Sequence, residues 1–393
     1  MPQQSHATGT ALPRLPDDAT LRDRAAEDPE SLYELAALVS RARADHAPAA
    51  LCRIAVALCS EPSTGAITCA ARLVDTLLRL DGPEYHRSVL RQMAWHMQTA
   101  QKPDTTLLYP LFQRLPQRLD IAAEFRACLL QEIALRSWGP CDEPYLDYAG
   151  RLRELNHPLA WLPPQTLSFE DRARNCSRRR DTGLGTLTPR HLRARYPEIP
   201  PTEEGARAAR DAREVVDPRR AETAGEPLAA LEMWEARFYE LPEPLPAADW
   251  NAGLLTGLPA DCLAALTPDT LAAVHTTGDE VLADLFLAAF AGGVQGGRQE
   301  GAYARLAAWR GCYALLNLPW GTPHTDAVRY AAEHRWLRFA AADGSHNDWF
   351  TDSHWEIFGC NQLGFAVLDP TGRRIALLAA TDTDPEVNEM DRY

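Results

Sequence analysis

In the stretch LGFAVLDPTGRRIALLAAT, residues 363–381, the hydrophobic period drops from that of a helix to that of a strand, which decides the class of the C-terminal region. Leu363, Phe365 and Val367 alternate with Gln362, Gly364 and Ala366. Asp369, Pro370, Thr371 and Gly372 then make a turn, and residues 374–381 return as a second strand. Leu377, Leu378, Ala379 and Ala380 are apolar without a break, so both faces of the return strand are expected to be buried. A two-stranded ribbon is not stable alone in water, and this one must pack on what precedes it.

What precedes it reads as helix. Helical patterning resumes near Ala230 after a long polar gap. Thr267, Pro268 and Asp269 have the look of a cap, a first-turn proline and an acidic first turn ahead of Leu271, Ala272 and Val274. Further helices are expected over 279–290 and 301–316, separated by the glycine-rich break 291–298. In the N-terminal third, Leu32, Leu35, Ala36, Leu38 and Val39 recur at helical spacing behind Ser31, with Glu34 completing a capping box. Paired apolar segments follow at 51–59 and 66–80, 87–100 and 105–115, and 121–138 and 143–155, broken at Pro62, Pro103 and Pro140. The breaks fall about 40 residues apart, close to the period of helical-hairpin repeats.

The expected fold is therefore mainly α: an N-terminal α-solenoid-like stack of helical hairpins, then a helical domain ending in a C-terminal β-hairpin, which adds an α+β element. An irregular helical bundle is the alternative for the stack. The expected domains are a loose arm at 1–28, the repeat domain at 29–162, an arginine-rich linker or long connection at 163–227, and the C-terminal domain at 228–393.

With 393 residues and 46% hydrophobic content, the chain can bury more than one core without disulfides or metals. Nine scattered cysteines, never spaced Cys-x-x-Cys, fit reduced thiols and a cytoplasmic location. No apolar run is long enough to span a bilayer, and the first 18 residues do not read as a secretory signal. The formal charge of −14 disfavours nucleic acid as a partner. Arginines crowd between 172 and 195, opposed there only by Asp181, so Arg178, Arg179 and Arg180 are where a weak phosphate contact would form. That segment has Tyr196 as its one nearby aromatic, which leaves base stacking little to work with.

Three polar clusters could carry chemistry. Gly296, Gly297 and Arg298 precede a helix, where free N–H groups attract anions, but the break lacks the Lys-Ser/Thr ending of a phosphate loop. On a helix, Asp348, Asp352 and Glu356 would share one face. Asp382 and Asp384 leave the last strand and could join those acids in acid–base work. Each also has an ordinary structural reading as a loop, a solvated helix face or a polar strand exit. No catalytic set, metal site or cofactor is assigned.

The segments Asp348-Trp349-Phe350, 363–373 and 379–384, with the glycine-rich break and the helix after it, resemble the end of an uncharacterised family of high-GC, actinobacterial-type bacterial proteins. The resemblance covers about the last quarter of the chain and implies a bacterial cytoplasmic origin and shared architecture, with no catalytic residues to carry over. Two functional readings stand: a helical-repeat scaffold that binds another protein, and an enzyme or a metal- or anion-ligand binder with its site in the C-terminal domain.

Overall fold

The structure is a computed structural model. It describes residues 14–42, 47–61, 143–178, 202–292, 301–341 and 362–381, with parts of 63–73 and 127–135 and residues 299, 349 and 350. The chain divides into two compact units, Met1–Gln165 with Glu300–Ala302, and Thr166–Gln299 with Tyr303–Tyr393.

In the first unit the helices Asp18–Glu27, Pro29–Ala42 and Ala47–Ser60 pack on one another through Leu21, Ala25, Leu32, Ala36, Val39, Leu51, Ile54 and Leu58, all buried. The first of these lies within the segment expected to be a loose arm. Asp17 caps it by accepting from the Thr20 N–H at 2.9 Å, and Arg53 ties its start down through Asp18 and the Pro16 carbonyl. The next helix begins earlier than the Ser31 cap expected, because Pro29 suits a first turn and Asp28 accepts from the Ser31 N–H. A fourth helix, Glu143–Glu154, ends with Asn156 at φ 52° and a His157 N–H to Leu152 carbonyl bond, a left-handed C-cap. The paired segment 87–115 lies outside the described residues.

The second unit overturns the mainly α expectation. It holds a six-stranded antiparallel sheet: β1 Arg213–Glu214, β2 Met233–Glu240, β3 Leu271–Thr276, β4 Arg335–Ala341, β5 Gln362–Leu368 and β6 Arg374–Thr381, in the order β1-β2-β6-β5-β4-β3. The chain is mixed α and β, and a mainly α solenoid stack does not describe it. The residues read as a hairpin do pair, Leu363 with Ala380 through Leu368 with Ile375, but as two inner strands of the sheet. Asp369 closes their turn by accepting from the Arg373 and Arg374 N–H groups, while Gly372 takes φ 70°.

Two expected helical stretches are strands. The Thr267 turn closes once, its carbonyl accepting from the Leu271 N–H at 3.0 Å, and the chain then extends as β3. Leu-Ala-Ala-Val is too short and too uniformly apolar for period to separate helix from buried strand. The region after Ala230 contains β2, whose Trp234, Ala236 and Phe238 alternate with Glu235 and Arg237.

Both faces of the sheet are covered, which explains why the side chains of β6 from Ile375 onward are buried without alternation. One face carries Trp234, Phe238, Trp336 and Phe365. The helix Pro218–Gly225 packs on it so closely that a Cβ at Gly225 would meet the Trp234 ring at 2.4 Å. Arg220 of that helix lies 3.7 Å over the Phe238 ring and donates to the Ala314 and Leu315 carbonyls at the end of the helix Gly301–Leu315. The helix Gly278–Ala291 meets the same face through the Asp284–Arg338 ion pair, and the helix His324–Glu333 through its Ala331 carbonyl, which accepts from Trp336 Nε1. The opposite face, with Tyr239, Leu337, Phe339, Ala366, Leu368 and Leu377, is closed by Trp250, Leu254, Leu258 and Leu263 from the short helical turns and loops between β2 and β3. Of the segment 163–227, expected as an arginine-rich linker or long connection, the described residues from 166 onward contribute to this unit the helices Asp171–Arg178, Glu203–Arg210 and Pro218–Gly225 as well as β1. No helix among the described residues is long and apolar enough to cross a membrane.

Candidate interaction edge

The eight residues singled out in the sequence, Gly296, Gly297, Arg298, Asp348, Asp352, Glu356, Asp382 and Asp384, all lie outside the described residues, as do Arg179 and Arg180. Their described neighbours have structural roles. Phe350 is buried against Phe339, Trp349 packs partly on the same core, and Thr381 ends β6 buried between its partners Met233 and Gln362. Among the described residues no group of three or more His, Cys, Asp or Glu is placed to hold a metal ion.

Among the described residues of the second unit, the most deeply buried ion pair is a lock. Glu170 and Arg305 are each 2% exposed. The Glu170 carboxylate accepts from Arg305 Nε at 2.6 Å, a second Arg305 nitrogen at 2.8 Å, Trp309 Nε1 at 2.9 Å and the Leu167 N–H at 2.9 Å. Burial works against its charge, but Arg305 and these donors outweigh it and hold the carboxyl below its ordinary range. Sealed from solvent, the lock ties the 167–170 turn to the helix Gly301–Leu315 and has no open side for a ligand.

The outer side of β2 is different. Val215 N–H donates to the Phe238 carbonyl at 2.8 Å, so the even-numbered residues of β2 turn their backbone groups toward β1, and Leu241 N–H, donating to Arg373, shows the odd-numbered ones facing β6. β1 pairs only with Tyr239 and Glu240. Beyond Val215 the chain leaves the sheet, because Asp217 caps the helix Pro218–Gly225 by accepting from the Arg220 N–H. Trp234 and Ala236 are left presenting two N–H and two C=O groups outward, with no backbone partner on that side among the described residues. Beside them Val216 is 79% exposed, the highest value among the large hydrophobic residues described.

The two flanks of this edge differ in chemistry. Trp234 and Ala236 belong to the helix-covered face and are apolar. On the other face Glu235, 7% exposed, accepts from the Asp261 N–H at 3.1 Å and the Cys262 N–H at 2.8 Å, which open a short 3-10 turn. Arg237 Nε donates to Glu235 at 2.7 Å, its Nη1 to Glu214 at 2.8 Å, and its Nη2 lies 3.6 Å from Asp261. One guanidinium therefore sits among three carboxylates. Burial opposes ionisation of Glu235, yet the Cys262 N–H, Arg237 and the Asp261 N–H keep it below its ordinary range. Burial and then the Glu235 charge push the Cys262 thiol up, which leaves it an inert core group. The Asp261 carboxylate is the one left open, 81% exposed.

Sequence reasoning missed this edge. The alternation in MWEARFYE was its available signal, whereas a two-residue strand such as β1 gives no periodicity to find.

Compared with known proteins, residues 19–384 match the model of a family of unknown function, DUF6183, and the chain belongs to that family. The match extends over nearly the whole chain, where the resemblance read from the sequence covered its last quarter. No curated protein and no solved structure matches.

Proposed function

We propose that this chain is a cytoplasmic, bacterial-type interaction protein that takes an extended segment of a partner protein as an added strand along β2. The observation that carries the reading is the outward-facing backbone of Trp234 and Ala236, without a backbone partner among the described residues, in the lane that β1 vacates after Val215. An open strand edge is a template for main-chain pairing, and proteins that do not use such an edge tend to blunt it with a bulge, a proline or a cover. The two positions whose backbone faces the lane are half-buried Trp and Ala, with the exposed Val216 alongside.

The lane offers about four backbone hydrogen bonds at roughly 0.5–1.5 kcal/mol net each. That is comparable to the lower estimates of the association cost, about 4 kcal/mol and upward, so side-chain contacts must supply the surplus and the selectivity.

Ala236→Pro tests the reading. The N–H it removes faces the lane and takes no part in the β2–β6 pairing, so the fold should survive the change, as edge prolines do. A photo-crosslinking residue at position 216 in the full chain should give polypeptide adducts in the wild type, lost with Ala236→Pro while the unfolding midpoint holds. Adducts that persist in the proline variant, or turnover of a small molecule by the purified chain, would replace this reading with the enzyme or ligand-binder alternative.

A further inference from the structure

We infer that the strand added along β2 carries a basic residue between two apolar ones, the basic side chain standing opposite Glu235; this rests on the strand-addition reading above. The argument is one of facing chemistry. Successive side chains of an incoming strand point to opposite faces of the sheet. Those opposite Trp234 and Ala236 fall on the helix-covered side, beside the Trp234 ring. The one opposite Glu235 falls on the other side, where Glu214, Glu235 and Asp261 surround Arg237 and leave two formal negative charges in excess. Glu235 already accepts from two backbone N–H groups and Arg237. Asp261, 81% exposed and 3.6 Å from Arg237, has room for another donor. A Lys or Arg opposite Glu235 reaches that carboxylate, whereas an acidic residue there meets the excess charge beside an Arg237 already engaged by Glu235 and Glu214.

The same geometry argues against a second copy as occupant. Two β2 edges that use both outward-facing residues about a two-fold axis pair Trp234 with Ala236 of the other copy, which sets Glu235 directly opposite Glu235. Like charges in facing positions destabilise a strand pair. Sliding the register by two residues to bring Glu235 opposite Arg237 would run Trp234 against Phe238, whose outward side Val215 already occupies.

The test uses the full chain and two fluorescent nine-residue peptides of alternating Thr and Val, identical except for Lys or Glu at one central position. Anisotropy titrations at low salt should show the Lys peptide binding about two- to fivefold more tightly than the Glu peptide, the range of an exposed charge pair. The preference should shrink at 1 M salt, reverse in Asp261→Lys, and disappear with all binding in Ala236→Pro. Equal binding of both peptides that Ala236→Pro abolishes would keep the edge as a docking lane and overturn the basic-residue inference. Peptide binding that Ala236→Pro leaves intact would overturn both. A wild-type dimer by light scattering that Ala236→Pro converts to monomer would assign the lane to a second copy and also overturn the inference.

Discussion

Removing the Glu170 carboxylate from the lock should cost the second unit more than a typical substitution in the chain. In Glu170→Ala the Arg305 guanidinium, 2% exposed, loses both its charge partner and two hydrogen bonds, while Trp309 Nε1–H and the Leu167 N–H lose their acceptor. Stripping one member from a buried ion pair costs about 3–5 kcal/mol, because an uncompensated charge is left in a low-dielectric interior. For a unit of roughly 200 residues each kcal/mol shifts the midpoint by about 2–4 °C, so a fall of about 6–20 °C is expected. Differential scanning calorimetry of the full chain reads it, since the unit's transition moves. The double variant Glu170→Leu, Arg305→Met removes the stranded charge but still orphans two N–H groups at about 1–3 kcal/mol each, so it should recover part of the loss. The pH dependence has a fixed sign. Glu170 folds with its carboxyl held below the ordinary value of 4.5, so its stabilisation is complete above that value and drains away as pH falls toward the folded one. The gap between wild type and Glu170→Ala should therefore narrow only below about pH 4.5. A midpoint change under 3 °C, or a double variant worse than the single, would refute the assignment of this pair as the lock.

Gly364→Ala should destabilise by about 1–3 kcal/mol, because a Cβ there would meet the Phe339 carbonyl oxygen at 2.5 Å and its ring at 2.7 Å. Gly150→Ala, with nothing within 4 Å on an exposed stretch of the helix Glu143–Glu154, should instead stabilise by about 0.5–1 kcal/mol; chemical denaturation of the two variants side by side checks the contrast. His334, 8% exposed, donates from Nδ1 to the Tyr330 carbonyl at 2.7 Å, and burial holds its pKa below 6.5 despite that bond and the nearby Asp369 and Glu333 charges. A base with a depressed folded pKa destabilises as pH falls through its unfolded value, so part of the stability lost below about pH 6.5 should be absent from His334→Phe; parallel slopes for the two proteins would refute it.

How much of this was legible in the sequence depends on the length of each signal. The helices Gly278–Ala291 and Gly301–Leu315 span about four turns each, long enough for their patterning to mark them to within a few residues. The β5–β6 pair was legible because two long runs flank a turn whose Asp369 and Gly372 each have a mechanical task. β3 reads as helix in the sequence because alanine-rich apolar runs satisfy both periods, and its Thr-Pro-Asp lead-in makes a single turn before the chain extends. β4, Arg-Trp-Leu-Arg-Phe-Ala-Ala, hid behind the charge of Arg338, whose partner Asp284 lies more than fifty positions away, so nothing local marked that arginine as an inward-facing residue.

The candidate edge shows the limit most sharply, because what makes it open is an early ending. Val215 pairs with Phe238, and two residues later Asp217 and Pro218 start a helix whose Gly225 must seat against Trp234. The helix start thus stops β1 and packs on the face of the strand that β1 leaves uncovered at its edge. Read alone, Val215-Val216-Asp217-Pro218 is an ordinary helix approach, and Met233–Glu240 an ordinary half-buried strand. Only the register between them shows that Trp234 and Ala236 point their backbones into the space where the next strand of β1 would have run. Lengthening β1 by replacing Asp217 and Pro218 with β-branched residues would therefore close the lane and undo the helix cap in one step, which binds the edge and its neighbouring helix into a single structural feature.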